Sequence, residues 1–410
     1  MDGPADKTEI VRCDCCIAGG GPAGVMLGFL LARAGVHVIV LEKHADFLRD
    51  FRGDTLHPST LQLMHELGLL DKLLERPHQA LKQIGAQIGD HLVTMADFSH
   101  LPTACKFIAL MPQWDFLNFL TKEAKKYPTF DLRMNAEVVG VISEGERITG
   151  VDVRTPEGGL RVTAPLIVGA DGRGSVVREQ AKLDIVDLGA PMDVLWMRIT
   201  KKPTDPPQTL GRIKGDKILI TLDRGDYWQC AFLIRKGGKE EMHRRGLPAF
   251  RADLVDVAPF LEDRTGELTD WGQIKLLTVR VDHLKRWYRP GLLCIGDAAH
   301  AMSPIGGVGI NLAIQDAVAA ANILSRPLRE GRVSMTDLRA VQERREVPTR
   351  LIQKLQVTIQ NRVISRVLGG QTQQARLAFP LRMLNRFAFL RRIPARVIGM
   401  GFRPEHIHVR

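Results

Sequence analysis

The sequence predicts an α/β fold: a Rossmann-like dinucleotide-binding domain, an antiparallel β-sheet domain interleaved with it, and a C-terminal helical tail. Three observations predict it. The apolar run Ile10–Ile17 enters a glycine-rich turn, and an apolar helical stretch, Ala23–Ala34, leaves it. From residue 132 to residue 164 the chain reads as short β segments parted by Glu144-Gly145-Glu146 and Pro156-Glu157-Gly158-Gly159. From Arg329 to Arg410 there are 17 Arg or Lys against 5 Asp or Glu, and Met335–Leu368 has the period of a long amphipathic helix.

The glycine turn comes first. Gly19, Gly21 and Gly24 fall in the GxGxxG spacing. Gly19 permits the tight turn, Gly21 lets a pyrophosphate approach the backbone, and Gly24 lets helix and strand pack closely. The helix N-terminus offers free N–H groups and partial positive charge to phosphates. Gly35 suits the C-cap, and Val36–Leu41 reads as the second parallel strand. Glu42 ends that strand where a carboxylate would hold ribose hydroxyls, with Lys43 beside it. A lone glycine pattern is a common turn. Strand, helix and terminal acid together make this one a dinucleotide site, with NAD and FAD equal at this point.

The totals set bounds. The chain has 410 residues, 45% hydrophobic and 25% charged, enough for two or three domains of ordinary globular composition. The N-terminus lacks a basic segment followed by an apolar one, so no signal peptide is expected. Cys15–Ala32 is uncharged, but its glycines and proline fit a nucleotide turn better than a membrane span. Six cysteines in a chain this long suggest no disulfide framework. Cys13, Cys15 and Cys16 read as small apolar residues of a buried strand rather than a metal or redox site, and a reducing cytoplasm is expected. The net charge of +11 is concentrated in the tail. A solvated helix face explains it most plainly. Over Phe379–Ile398, however, basic residues alternate with large apolar ones as in interfacial helices, so peripheral membrane contact is the alternative. No nucleic-acid partner is expected, and the protein is read as a monomer or homodimer.

The remaining elements follow in order. Ser59 reads as the N-cap of a helix ending at Gly68, and Asp71–Glu75 as a short turn. Ile84–Ile88 and His91–Met95 read as a hairpin across Gly89-Asp90. A helix is expected over Asp115–Lys126, and strands over Leu132–Ile142, Ile148–Thr155, Leu160–Ala164 and Leu166–Ala170. Asp193–Ile234 alternates in β fashion, with Pro203–Pro207 as a loop and Lys217–Leu222 pairing with Tyr227–Ile234. His243–Val257 reads as a helix, Lys275–Val281 and Leu292–Asp297 as strands, and Asn311–Leu324 as an apolar helix. The nucleotide domain is therefore expected from 1–74, 106–182 and 284–330. The β-rich substrate domain takes 75–105 and 183–283, and the basic tail 331–410.

Two further motifs narrow the ligand. One is Asp171-Gly172-Arg173-Gly174-Ser175 after a buried strand. The other runs from Gly296-Asp297-Ala298-Ala299-His300 through Pro304 and Gly306-Gly307-Val308-Gly309-Ile310-Asn311. In the second, a strand ends on a carboxylate, and a Pro/Gly loop leads to a helix start whose positive end favours anionic charge. With the glycine turn, these motifs resemble the para-hydroxybenzoate hydroxylase family of FAD-dependent aromatic hydroxylases, over about the first 325 residues.

The resemblance implies FAD as cofactor, NADH or NADPH as co-substrate, and hydroxylation of an aromatic or quinone-type molecule by O₂ through a flavin C4a-hydroperoxide. By resemblance, Gly19, Gly21, Gly24, Glu42 and Lys43 serve the AMP half and Arg52 the flavin and pyrophosphate. Gln113 lies near the ribityl chain, Val138 at adenine, Asp171 and Gly172 at both FAD and nicotinamide, and Asp297 at the ribityl hydroxyls. Pro304, Gly306, Gly307, Gly309, Ile310 and Asn311 line the isoalloxazine. Pro304 and His300 are the residues nearest to a catalytic role, although a packed histidine explains His300 as well. By strand position, Trp196, Arg198, Trp228 and Gln229 are candidate substrate contacts, with sheet packing as the plainer account of each. A flavin halogenase, a reductase of the same fold and a non-enzymatic redox sensor are the alternatives. Trp271-Gly272-Gln273-Ile274 does not provide the halogenase Trp-x-Trp-x-Ile-Pro segment.

Overall fold

The computed structural model describes residues 9–48, 55–206, 210–370 and 379–409. Its centre is a six-stranded sheet in the order Tyr288–Arg289, Leu292–Cys294, Leu166–Gly169, Cys15–Ala18, Val38–Leu41, Phe130–Arg133. The last five strands run parallel. Runs such as Cys15-Cys16-Ile17-Ala18 are buried throughout, as a sheet covered on both faces requires. Helices Pro22–Arg33, Gln113–Ala124 and Gly309–Arg329 cover one face. The meander Glu137–Glu144, Arg147–Thr155, Gly158–Thr163 covers the other. Gly309–Arg329 lies in a helical stretch long and apolar enough to cross a membrane, but most of it is buried in this core.

The second layer is a seven-stranded sheet, ordered Lys275–Leu277, Met192–Thr200, Tyr227–Arg235, Lys217–Asp223, Leu210–Lys214, Gln83–Ile88, His91–Asp97. One face packs on helices Lys239–Arg245 and Leu247–Val257 around Trp228, Phe232 and Phe250. The opposite face meets Ile305, Ile364, Val367 and Leu368. The terminal helices Phe379–Arg386 and Arg392–Met400 lie against the edge strand His91–Asp97. A covered edge is one way a sheet avoids pairing with another chain.

Several boundaries differ from the sequence reading. Ile10–Ile17 is two strands in different sheets. Glu9–Arg12 joins Gly158–Thr163 in the meander, and Cys15–Ala18 enters the central sheet. Cys13 lies between them, and burial pushes its thiol up to about 12. Leu132–Ile142 likewise splits into Phe130–Arg133 and Glu137–Glu144, parted by Asn135 at φ 53°. Helix Pro58–Glu66 is capped by His57, not Ser59, because Pro58 occupies its first turn with φ already set. The expected helix His243–Val257 breaks at Gly246, whose φ of 84° is non-helical. Lys275–Val281 is strand only to Leu277, and Leu292–Asp297 only to Cys294. Strand Leu210–Lys214 lies within Asp193–Ile234, which the sequence reads as β without marking off this strand. It pairs in parallel with Gln83–Ile88 and so joins the early hairpin to the later strands.

The tail reading also changes. Met335–Ile359 opens with a capping box between Ser334 and Asp337 and continues through a π turn, Gln360–Ile364. Its inner face is buried, and the last residues of the chain return to the core at Glu405 and Val409.

Candidate active site

The glycine turn sits between two strands. Gly19 N donates to Leu41 O at 2.8 Å, and Ala170 N donates to Ala18 O at 2.7 Å. A Cβ on Gly19 would lie 2.3 Å from Ala170 O, at a φ of 108°, and one on Gly24 would lie 1.9 Å from Gly19 O. Among the described residues, a Cβ on Gly21 would meet no atom within 4 Å. The turn is therefore closed toward the protein at Gly19 and Gly24 and open at Gly21. Helix Pro22–Arg33 starts there with no side-chain cap and no acid in its first turn. Its N-terminal amides thus face an open approach suited to phosphate.

Glu42 holds the turn from the neighbouring strand. Its Oε2 accepts from Gly20 N at 3.0 Å, and its Oε1 from His44 N at 3.1 Å. Lys43 beside it is exposed. Ala136 N donates to Glu42 O, which brings the buried Val138 to the same end of the sheet. Arg52 lies outside the described residues.

Strand Leu166–Gly169 delivers the second motif beside the first. Asp171 Oδ2 accepts from Val177 N at 3.2 Å, whereas its buried Oδ1 has no partner among the described residues. Burial pushes the Asp171 carboxyl above its ordinary range, against hydrogen bonds from Ser175 and Val177. Gly172 turns the chain at φ 83°. Arg173 then reaches the third motif, with its Nε 3.5 Å from Asp297 Oδ2. Arg178 is buried and donates to Arg173 O, Ala298 O and Asp282 Oδ1.

Asp297 lies in a one-turn helix, Gly296–Ala298, and its side chain is 37% exposed. The loop beyond it turns at Gly306 and Gly307, both with positive φ. Thr55 Oγ1 donates to Gly307 O at 3.0 Å. Asn311 is fully engaged: its amide donates to Thr55 O and Gly307 O, and its Oδ1 accepts from His57 N and Thr60 Oγ1. The side chain pins the loop to strand Thr55–Leu56, so only the backbone of Gly309, Ile310 and Asn311 is left to meet a ligand. Gln113 begins helix Gln113–Ala124, with Pro112 in the cap position. The preceding strand, Ile108–Leu110, pairs with Thr55–Leu56, which brings Gln113 toward this loop.

His300 is a packed residue. It is 1% exposed, 5.0 Å from Trp287 ring to ring, and its Nε2 is 2.5 Å from Asp316 Oδ2. These contacts hold the imidazole in the core, as the packed-histidine reading expects. Pro304 remains half-buried at the head of the loop.

The expected substrate contacts divide. Trp196 packs on the sheet face that carries Ile305. Gln229 is buried, with its Oε1 accepting from Arg224 Nε. Trp228 points to the opposite, helix-covered face and donates its indole N–H to Asp205 at 2.7 Å, so it and Trp196 cannot meet one ligand on the same face. Arg198 is exposed, paired with Asp226 and 3.9 Å from the Tyr227 ring centre. Ala231, Ile220, Gly211 and Ala86 escape a reading of the sequence. Strand pairing aligns them with Trp196 in one row across the sheet. Alternation names both sheet faces but not which one meets the loop.

The comparisons with known proteins bear on family and fold. The FAD binding domain family matches residues 12–355. A 6-methylpretetramide 4-monooxygenase of Streptomyces rimosus is 32% identical over 357 residues, 86% of this chain and 85% of that protein. The chain spans 60–63% of three longer curated relatives. In fold it is similar to p-nitrophenol 4-monooxygenase PnpA from Pseudomonas putida DLL-E4, with a TM-score of 0.77 and 21% identity over 95% of this chain and 97% of that one. It is also similar to PqsL, a probable FAD-dependent monooxygenase from Pseudomonas aeruginosa, with a TM-score of 0.74 and 22% identity over 88% and 99%. The open glycine turn, the Arg173–Asp297 contact and these likenesses lead to one conclusion: the chain belongs to the FAD-binding-domain family of FAD-dependent aromatic monooxygenases.

Proposed function

We propose that the protein uses NADH or NADPH and O₂ to hydroxylate a flat, fused-ring aromatic molecule. One oxygen atom enters the ring and the other leaves as water, while the nicotinamide supplies two electrons. The observation that carries this reading is the row Trp196, Ala231, Ile220, Gly211, Ala86 on the sheet face that meets Ile305. Ala231, Gly211 and Ala86 in this row project little from the sheet, and flat apolar rings bury area well against such short side chains. The relative that acts on 6-methylpretetramide supports a fused-ring substrate over a single phenol.

Bound FAD supplies the redox chemistry, accepting hydride and activating O₂. The chain's own residues bind and orient. Gly19, Gly21 and Gly24, with the N-terminus of helix Pro22–Arg33, take the pyrophosphate, and Glu42 takes a ribose. Asp297 accepts from ribityl hydroxyls, and Arg173 steadies its carboxylate. The backbone from Gly306 to Asn311 and the start of helix Gly309–Arg329 favour negative charge on the flavin ring. The apolar row and Ile305 keep water from the reacting ring.

The test is direct. The purified protein should be yellow, and fused-ring phenols should speed NAD(P)H oxidation and acquire one ¹⁸O atom from ¹⁸O₂. NAD(P)H oxidation yielding only peroxide across a fused-ring panel would overturn the substrate class. Bromide incorporation in place of oxygen would establish the halogenase alternative.

A peripheral membrane contact is supported by the exposed Phe379, Phe387, Phe389 and Ile393. They share residues 379–400 with five arginines and no acid. Sedimentation with anionic liposomes should fall on Phe389→Ser with Ile393→Ser, and unchanged partitioning would refute the contact.

A further inference from the structure

The end of the chain, far from the flavin motifs in sequence, is tied to one of them through a buried line of charges. Glu405 is 4% exposed. Its Oε1 accepts from Arg345 Nη1 at 3.2 Å and from Arg344 Nε at 2.7 Å. Its backbone N–H donates to Gln315 Oε1. Arg345 is 1% exposed and donates from Nε to Asp316 Oδ1 at 3.0 Å. The other oxygen, Asp316 Oδ2, accepts from Gly296 N at 3.1 Å and lies 2.5 Å from His300 Nε2. Gly296 immediately precedes Asp297.

We propose that Glu405 and Arg345 are positioning residues: through Asp316 they set the backbone of the Gly296–Asp297 turn, and hence the fit of this site to FAD. The inference rests on the flavin reading of Asp297. Its physical basis is a shared charge. One carboxylate, Asp316, serves a guanidinium, an imidazole and a backbone amide. Glu405 takes part of the guanidinium's demand. Arg345 Nη1 also donates to Arg403 O at 3.3 Å, but that carbonyl is neutral. Without the Glu405 anion, Asp316 is therefore the one charged partner left to Arg345 among the described residues, and its hold on Gly296 N and His300 weakens. Buried ion pairs that lose one member are not neutral, because the remaining charge stays desolvated. Gly296 has no slack to absorb the change: its φ is 59°, and its Cα side is closed by Ala23 and Ala313.

The network links four separate segments: the flavin turn, the core helix Gly309–Arg329, helix Met335–Ile359 with Arg344 and Arg345, and the tail at Glu405. A device that merely held the tail down would need only Glu405 with Arg344 and Gln315. The continuation through Arg345 to the amide before Asp297 makes it more than a tail clip.

The experiment uses the full-length holoprotein with Glu405→Gln, which keeps shape and hydrogen bonding but removes the charge, and Arg345→Lys, which keeps charge but loses the two-sided fork. FAD affinity is read by flavin fluorescence, the flavin midpoint potential by dye equilibration, and stability by thermal melting of the apoprotein. Both variants should weaken FAD binding about tenfold, the scale of one charge-assisted hydrogen bond. Both should also shift the midpoint potential, and Glu405→Asp should restore part of each. Unchanged FAD affinity and potential, with only a lower melting temperature, would show a structural clip and overturn the proposal. Failure of the wild-type protein to bind FAD would instead overturn the flavin reading itself. If Glu405→Gln does not fold, Arg345→Lys alone decides between the same two outcomes.

Discussion

Arg173 and Asp297 come from separate motifs, and the fold sets the Arg173 Nε 3.5 Å from Asp297 Oδ2. Both side chains are partly exposed, at 27% and 37%, so water screens the pair and it contributes little to stability. Its meaning is positional, because it orients a carboxylate toward an open site. Asp297→Ala should therefore lose FAD while the apoprotein melts within about 2 °C of wild type, consistent with a surface change of at most ~0.5 kcal/mol. Cys13→Ser should keep FAD. Retention of flavin by Asp297→Ala, measured by absorbance after gel filtration, would remove Asp297 from the site.

The glycines of the turn separate a binding role from a folding role. Gly21 has φ −73°, and among the described residues nothing lies within 4 Å of where a Cβ would go. Gly21→Ala should fold with unchanged or slightly raised stability, by about 0.4–1 kcal/mol, and still bind FAD at least ~10-fold more weakly, because the methyl stands where phosphate approaches. Gly24→Ala drives a methyl to 1.9 Å from Gly19 O and should lower stability by ~3 kcal/mol or more. Urea melts and FAD titrations on both variants would show whether the two effects part in this way.

The two faces of the seven-stranded sheet predict two different phenotypes. Trp228 donates to Asp205, which is also gripped by Arg264 Nη1 and Nη2, both at 2.7 Å. Burial alone would raise the Asp205 carboxyl, but bonds from Arg264, the Lys202 backbone and Trp228 bring it down to about 2. Trp228→Phe should cost about 1–3 kcal/mol of stability with substrate KM unchanged. Ala231→Leu, on the face toward Ile305, should raise the KM for fused-ring substrates severalfold and spare single-ring phenols. A rise in KM from Trp228→Phe would mean that the faces are assigned the wrong way round.

His57 makes stability depend on acid. Its ring is fully buried, Nδ1 donates to Ile398 O at 2.8 Å, and burial pushes the imidazole down to about 4. In the unfolded chain it titrates near 6.5. Between those values the unfolded state binds the extra proton, so stability falls as pH drops from 6.5 toward 4, by up to about 3 kcal/mol. His57→Asn can keep the bond to Ile398 O without the titration. Urea melts at pH 5 and pH 7 should show a smaller difference for the variant than for wild type, and equal slopes would contradict the assignment.

Much of the candidate site is legible in the amino-acid order alone. Gly19, Gly21, Gly24 and Glu42 can be read there because their spacing encodes a local event, a strand entering a tight turn and a helix. Asp171 and Asp297 can be read because each follows a short buried strand. Asp316, Arg345 and Glu405 carry no local signal: a charged residue on a helix looks solvated until the fold shows what covers it.

By itself the sequence determined the local geometry of this protein: where strands turn, where helices begin, and which side chains share a face, since period and turn chemistry act over a few residues. Only the tertiary structure decided which face meets the Pro304–Gly307 loop. Trp228 and Gln229 must point to opposite sides of one strand. Which side meets the Ile305 loop depends on helix Leu247–Val257 covering Trp228 and leaving the other face to that loop. That outcome is a sum of burial over distant segments, and no window of sequence contains it.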